Sequence, residues 1–185
     1  MPMPEDRRCA ECLRNPPAFD DVVTAFDYRF PIDRLVRRFK FSSDLATGAL
    51  LAEALARSVA SAPKPDLVVA SPVSAERLRE RGLNPALVLA RQVGKRLGVP
   101  VDARAIAKIR HTPPQSGLDR AGRHRNLRGA FAVRRPMDGL RVAVVDDVMT
   151  TGATLSALAR ELRRAGAAHV SGWVVARTPE PPPGG

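Results

Sequence analysis

The sequence predicts an α/β fold in which helices flank both faces of a twisted, mainly parallel sheet. Two observations lead to this prediction. Short runs of Val, Leu and Ala at residues 66–70 and 141–145 have the composition of strands that are buried on both faces of a parallel sheet. Each run continues through a loop into a helical pattern of apolar residues. With 185 residues, of which 44% are hydrophobic, the chain is long enough for one such domain and a small appendage.

The first elements of the domain are expected between residues 22 and 61. Residues 22–28 are rich in β-branched and aromatic side chains, which predicts a strand. Pro31 can open a short helix that runs to residue 41 with its apolar residues on one face. Ser43 or Asp44 then caps a long helix that ends near residue 61. The basic residues of the short helix lie mostly on its other face, which is interpreted as solvated: Arg34, Arg37, Arg38 and Lys40.

A second strand-turn-helix unit follows at residues 66–98. Asn84 and Pro85 match an N-cap followed by proline at the first helical position, and Gly98 ends the helix. Such units place ligands at the carboxyl ends of the strands of a parallel sheet. The turn after the strand is therefore a candidate ligand loop, with these residues: Ser71, Pro72, Val73 and Ser74.

A long basic segment separates this unit from the strand at residues 141–145. Residues 104–135 contain nine Arg or Lys residues and one acid, Asp119. Prolines and a glycine exclude regular structure in its middle part, and long loops of this kind are uncommon unless they are functional or disordered. We interpret the segment as a flexible lid that shields a reaction from water; the alternative is a solvated mobile loop. The residues assigned to the lid are Gln115, Ser116, Gly117 and Arg120.

The remaining strands are expected at residues 129–133, which would return to the sheet, and at residues 169–178. Residues 179–185 are rich in Pro and Gly and are expected to form a disordered tail.

The most specific chemistry follows the strand at residues 141–145. Asp146 and Asp147 are expected where that strand ends, and a helix begins shortly after them and closes at Gly166. The unpaired N–H groups and the dipole at a helix N-terminus favour a phosphate on the intervening loop. Two carboxylates suit ribose hydroxyls or Mg²⁺ instead, so a ribose 5-phosphate carrying magnesium satisfies both parts. The alternative is an ordinary turn with Asp as a cap. The loop consists of Met149, Thr150, Thr151, Gly152, Ala153 and Thr154.

Composition limits the other features. The net charge of +11 favours polyanions such as nucleic acid or a phosphate-rich small molecule; the alternative is a solvated, Arg-rich surface. No apolar run approaches the length of a membrane span, and the N-terminal residues lack the form of a signal peptide, so a cytoplasmic protein is expected. Cys9 and Cys12 have the spacing of half a zinc site, but no second pair exists, and zinc binding is not expected.

The stretch at residues 141–154 resembles the 5-phosphoribosyl-1-pyrophosphate (PRPP) signature of type I phosphoribosyltransferases. The resemblance implies that Asp146 and Asp147 hold the ribose 2- and 3-hydroxyls, with Mg²⁺ near them through PRPP, and that residues 149–154 take the 5-phosphate. It also implies that the loop at residues 71–74 binds pyrophosphate. Arg77, Arg79 and Arg81 follow that loop and are expected either to add charge to it or to form ion pairs with Glu76 and Glu80 on a surface helix. The lid is then expected to close over the diphosphate. The implied fold is the type I phosphoribosyltransferase fold.

Three blocks together are similar to the ComF family of phosphoribosyltransferase-like proteins: residues 76–84, residues 112–131 and residues 146–154. The resemblance covers about residues 18–178, the predicted phosphoribosyltransferase domain. Residues 1–17 are interpreted as the poorly ordered remnant of an N-terminal four-cysteine zinc module that the family typically carries. Departures from the family pattern occur at Ala70, Leu83 and Pro85.

The resemblance implies transfer of the 5-phosphoribosyl group from PRPP to an unidentified acceptor, with release of pyrophosphate, in a protein linked to DNA uptake during competence. Two alternatives stay open. One is a PRPP-sensing module without transfer activity that binds single-stranded DNA through its basic surface. The other is a nucleobase salvage phosphoribosyltransferase.

Overall fold

A computed structural model describes residues 16–42, 44–110, 127 and 129–179. The strands in this part of the chain are β1 (Asp21–Asp27), β2 (Leu67–Ala70), β3 (Val101–Asp102), β4 (Ile106–Lys108), β5 (Phe131–Val133), β6 (Arg141–Met149) and β7 (His169–Arg177). The helices are α1 (Ile32–Ser42), α2 (Leu45–Val59), α3 (Ala75–Arg81), α4 (Pro85–Leu97) and α5 (Ala153–Arg164).

The main sheet has five strands in the order β1-β7-β6-β2-β3, and every neighbouring pair is parallel. The predicted α/β class with a mainly parallel sheet is therefore confirmed. The two central strands, β6 and β7, pair along their full nine-residue lengths, from Arg141 opposite His169 to Met149 opposite Arg177. Central strands of this kind read as apolar runs because both of their faces are covered.

Helices cover both faces of the sheet, and successive residues of β6 alternate between the two cores. Val142 and Val144 pack with the apolar face of α5, and Ala143 and Val145 pack with α1, α2 and α4. This alternation follows from the two-residue period of a strand. The same alternation continues beyond Val145 and determines to which face of the sheet the side chains of Asp146 and Asp147 point.

Most capping predictions agree with the structure. Asp44 is the N-cap of α2, with its carboxylate accepting from the N–H of Thr47, and α2 ends at Val59 rather than near residue 61. Asn84 caps α4, and Gly98 closes it with a φ of 61°. Gly166 has a φ of 101° directly after the end of α5, as a C′ glycine requires.

Two predictions about strands were wrong. The strand around residues 141–145 continues to Met149, because β7 keeps pairing with it, so Asp146 and Asp147 lie within β6 and do not follow it. β5 does not return to the main sheet. It pairs with β4 in a separate two-stranded antiparallel sheet, and Phe131 packs in the core on the α5 side.

Several predictions fall outside the described residues. They concern Cys9 and Cys12 in the N-terminal segment, the lid residues Gln115, Ser116, Gly117 and Arg120, and the tail beyond residue 179. Among the described residues, the structure has no helix that is both long enough and apolar enough to span a membrane.

Candidate functional site

An open depression lies at the carboxyl end of β6, where the chain turns into α5. It contains about 340 Å³ of empty space and is lined by Asp146, residues 148–155 and Val174. All six residues of the predicted phosphate loop, 149–154, are among these. Met149 is the last residue of β6, and Ala153 and Thr154 begin α5, so the loop itself is three residues long. The structure thus brings the loop and one of the two predicted carboxylates to the same place.

The N-terminus of α5 opens into this depression without a side-chain cap. Gly152 occupies the N-cap position with a φ of 72°, a conformation that other residues rarely adopt, and it has no side chain to accept from the first N–H groups. Thr151 Oγ1 lies 3.4 Å from the N–H of Ala153. Helix N–H groups of the first turn lack partners within the helix, and the helix dipole places partial positive charge there. An anionic group is therefore favoured at this end of the depression.

Asp146 lies at the other end of the depression and has an unusual acidity. Burial and, after it, the adjacent charge of Asp147 raise the pKa of its carboxyl, which lies at about 7. The N–H of Asp147, which donates to Asp146 Oδ1 at 2.9 Å, the charge of Lys40 and a hydrogen bond from Ser71 act in the opposite direction. Burial dominates, so Asp146 carries a full negative charge only above neutral pH or when a ligand stabilises it.

Asp147 points to the other face of the sheet. Because β6 still has strand geometry here, Asp146 continues the row of Val142 and Val144, and Asp147 continues the row of Ala143 and Val145. Its Oδ1 lies 2.8 Å from Lys40 Nζ, and the side chains of Lys40 and Asp147 are 21% and 13% exposed. Asp147 does not line the depression.

Lys40 is a residue of the site that the sequence reading missed. It was assigned to the solvated face of α1, whereas its ammonium group reaches the acidic pair. A signal was available, since Phe39 is fully buried and Lys40 follows it at the end of the helix. The two-residue alternation of β6 also predicts that Asp147 faces the helices on that side.

The predicted pyrophosphate loop lies beside the acidic pair because β2 and β6 are neighbours in the sheet. Ala70 pairs with Val145, and the N–H of Ser71 donates to Val145 O at 2.9 Å. Ser71 is buried and its hydroxyl donates to Asp146. Ser74 is the N-cap of α3 and accepts from the N–H of Arg77 at 3.3 Å.

Asn84 holds this loop in place and was predicted only as a helix cap. Its Oδ1 accepts from the N–H groups of Ala86 and Leu87, and its Nδ2 donates to Ser71 O at 3.1 Å. One side chain therefore ties the start of α4 to the loop that contacts Asp146.

Positive charge gathers on the α3 side of the site. Burial lowers the pKa of Lys108 on β4, and the neighbouring charges of Arg77 and Arg110 lower it further. Arg77 and Arg110 are therefore near enough to Lys108 for their charges to repel it. A group of like charges of this kind is favourable once an anion binds beside it.

The acidic pair does not fit a directly bound Mg²⁺ ion. Mg²⁺ requires oxygen ligands in near-octahedral geometry at about 2.0–2.1 Å. Here Oδ1 of Asp147 is taken by an ammonium group, Oδ1 of Asp146 accepts a backbone N–H, and the two side chains point to opposite faces of β6. Within the described residues, no group of three or more His, Cys, Asp or Glu side chains is arranged to hold a metal.

Comparison with known proteins assigns the family. A sequence model described as "Phosphoribosyl transferase domain" matches residues 82–182. The chain is 36% identical over 176 residues to the "DNA utilization protein YhgH" of Escherichia coli K12, which covers 92% of this chain and 78% of the relative. It is 32% identical over 180 residues to "Competence protein F" of Haemophilus influenzae, covering 92% and 79%.

Among solved structures, a purine phosphoribosyltransferase from Pyrococcus horikoshii is 18% identical and covers 86% of this chain and 84% of its own, with a TM-score of 0.45. A glutamine PRPP amidotransferase from B. subtilis is 23% identical over 69% of this chain and 25% of its own, with a TM-score of 0.48. The family match, together with the parallel sheet that carries helices on both faces, gives the type I phosphoribosyltransferase fold. The chain belongs to the phosphoribosyl transferase domain family and, within it, to the ComF group that includes YhgH and competence protein F.

Proposed function

We propose that the protein binds PRPP and transfers its 5-phosphoribosyl group to an acceptor, releasing pyrophosphate. The observation that carries this proposal is the pairing, within one depression, of an uncapped helix N-terminus with a carboxylate at its other end. The helix end suits the 5-phosphate, since it offers N–H groups and partial positive charge. Asp146 suits a ribose hydroxyl, because a carboxylate accepts from hydroxyl donors and repels phosphate.

The proposed reaction breaks the bond between the anomeric carbon and the diphosphate oxygen and forms a bond from the acceptor to that carbon. The bonding electrons leave with pyrophosphate, and the acceptor loses one proton. Positive charge develops on the sugar while negative charge grows on the leaving group, so catalysis consists mainly of positioning and electrostatic stabilisation.

We assign the leaving diphosphate to residues 71–74 with Arg77 at their side. The N–H groups of this loop and the cationic group of Arg77, Lys108 and Arg110 favour the growing negative charge. Gln115, Ser116, Gly117 and Arg120 remain assigned to a lid over the diphosphate. Mg²⁺ is the counter-ion that PRPP brings with it in this proposal, and the residues assigned to the sugar and the phosphates do not need to bind it directly.

The direct test is calorimetric titration with PRPP and Mg²⁺, and with ribose 5-phosphate, on the parent protein and on the double variant Asp146→Ala with Asp147→Ala. Loss of PRPP binding in the variant is expected, because the carboxylate of Asp146, which lines the depression, is removed together with that of its neighbour Asp147. Equal affinity in the two proteins would refute the assignment. The parent would then be screened for pyrophosphate release against a panel of acceptors to test transfer itself.

A role in DNA uptake or use is part of the proposal. It is supported by the names of the relatives, which are a DNA utilization protein and a competence protein. We propose that the reaction takes place in the cytoplasm.

One observation favours a second candidate, a PRPP-responsive protein that binds single-stranded DNA without transfer. The side chains of Phe30 and Phe41 are 71% and 68% exposed, and guanidinium groups lie over both rings, Arg34 at 5.5 Å and Arg81 at 5.1 Å. Exposed aromatic rings beside cations are the elements of a base-stacking surface. DNA binding that falls steeply with salt and is lost in Phe30→Ala with Phe41→Ala would support this candidate; unchanged binding would remove it.

Nucleobase salvage is distinguished by the acceptor screen. Pyrophosphate release with a free base or orotate would support salvage. Leu83 directly precedes the N-cap Asn84, and Pro85 is the first residue of α4; we propose that these two departures influence which acceptor fits.

A further inference from the structure

Lys40 is held firmly in contact with the acidic pair. Phe39, the preceding residue, is fully buried against Gly48 of α2, where an added Cβ would lie 2.5 Å from the Phe39 ring. Val36 is buried one turn earlier in the same core. The end of α1 is therefore fixed by packing, and the ammonium group of Lys40 stands 2.8 Å from Asp147 Oδ1.

The contact between Lys40 and Asp147 places a positive charge beside the acidic pair. A carboxylate that is largely buried, as that of Asp147 is, favours an opposite charge beside it, which a divalent cation could supply. Here the opposite charge is supplied by the chain, in a place where the side chains of Lys40 and Asp147 are 21% and 13% exposed. A cation that approaches Asp147 must either displace the ammonium group or sit beside its positive charge. Hydroxyl groups meet no such barrier, because a carboxylate has a second oxygen with which it can accept a hydrogen bond.

We propose that Lys40 is the built-in counter-ion of the acidic pair, in contact with Asp147 and close to Asp146, and that it excludes direct binding of a divalent metal ion by either carboxylate. Metal then reaches the site only as a companion of the diphosphate. That consequence rests on the proposed function, whereas the exclusion of metal follows from the chain alone. Lys40 is thus a positioning and selectivity residue.

The test measures binding of Mn²⁺, a spectroscopic substitute for Mg²⁺ at oxygen ligands, by electron paramagnetic resonance without any phosphate. The parent is expected to bind Mn²⁺ no tighter than millimolar. Lys40→Met should bind at least about tenfold tighter, since it removes a positive charge that lies 2.8 Å from Asp147 Oδ1 and repels the metal ion. Lys40→Arg, the charge-matched control, should behave as the parent. Lys40→Met combined with Asp147→Asn should lose the gain.

Folding is checked by circular dichroism and thermal melting, because Lys40→Met leaves Asp147 without its cation. If that variant does not fold, Lys40→Gln replaces it, since the amide keeps a hydrogen-bond donor and removes the charge.

Unchanged Mn²⁺ affinity in a folded, uncharged variant overturns the proposal, as does a gain that persists with Asp147→Asn. Micromolar Mn²⁺ binding by the parent that is lost in Asp146→Asn overturns it regardless of the Lys40 variants. Titration with PRPP separates the two proposals. A parent that fails to bind PRPP, together with the expected Mn²⁺ series, refutes the proposed function and leaves the role of Lys40 intact.

Discussion

Replacing Asp146 by Asn should stabilise the protein above neutral pH. The folded state holds the proton of Asp146 up to about pH 7, because its pKa is raised to about 7 from an ordinary value of 3.8. The unfolded chain releases that proton near pH 4. Between these values the folded state binds more protons, so the free energy of unfolding falls as pH rises through this window. Asn keeps the oxygen that accepts from Asp147 N–H and has no proton to lose.

The size of the effect follows from the same values. At about 1.4 kcal/mol for each pH unit, the interval from 3.8 to about 7 corresponds to a loss of about 4 kcal/mol in the parent. The stability of Asp146→Asn relative to the parent should therefore grow from pH 4 to about pH 7 and then stay constant.

Urea denaturation of both proteins between pH 4 and pH 9 measures this difference. Asp147→Asn is the informative companion, since removing that negative charge lowers the pKa of Asp146 and moves the midpoint of the pH dependence downward. A stability difference between Asp146→Asn and the parent that does not change with pH would show that burial does not raise the pKa, and the reasoning would fail.

Three further predictions follow from the site and its support. Gly152→Ala should lower the free energy of unfolding by about 1 kcal/mol, because the φ of 72° is unfavourable for alanine; the added Cβ itself would make only ordinary contacts. The same change should weaken phosphate binding. Urea denaturation measures the first effect and titration with ribose 5-phosphate the second. Asn84→Ala should reduce stability by about 1–2 kcal/mol by removing the cap of α4 and the hydrogen bond to Ser71, and Asn84→Asp should retain the cap alone. Gly172→Ala should lower the free energy of unfolding by about 1–3 kcal/mol through overpacking, since its Cβ would lie 2.3 Å from Leu155. The double variant with Leu155→Ala should be less destabilised than the sum of the two single variants, and strict additivity would contradict the clash.

The elements that local physics determines could be predicted from the sequence. The strand at β2, the caps Asp44 and Asn84, and the end of α5 before Gly166 all depend on residues within a few positions of one another. The loop before α5 could be predicted for the same reason, because small residues and a helix start are adjacent in the chain.

The pairing of distant segments could not be predicted in this way. β6 continues to Met149 because β7 extends beside it, and the composition of residues 146–149 does not predict that they pair with another strand. β5 is as apolar as a core strand, yet it pairs with β4, since both lie on the α5 side of the sheet and contribute Ile106 and Phe131 to that core. An apolar run indicates burial and does not indicate which strand lies next to it.

Because β6 continues through Asp146 and Asp147, strand geometry determines which of the two carboxylates lines the depression. Two consecutive residues of a strand point to opposite faces, so an adjacent pair of acids cannot turn both carboxylates into one depression while the strand persists. Asp146 takes the side of the α5 loop and therefore lines the depression. Asp147 is forced toward the helices on the other face, where an unpaired buried carboxylate would be destabilising by several kcal/mol. Lys40 of α1, more than a hundred residues earlier in the chain, supplies the opposite charge that this carboxylate needs. The role of α1 in the site is thus a requirement of strand geometry once the two acids are adjacent.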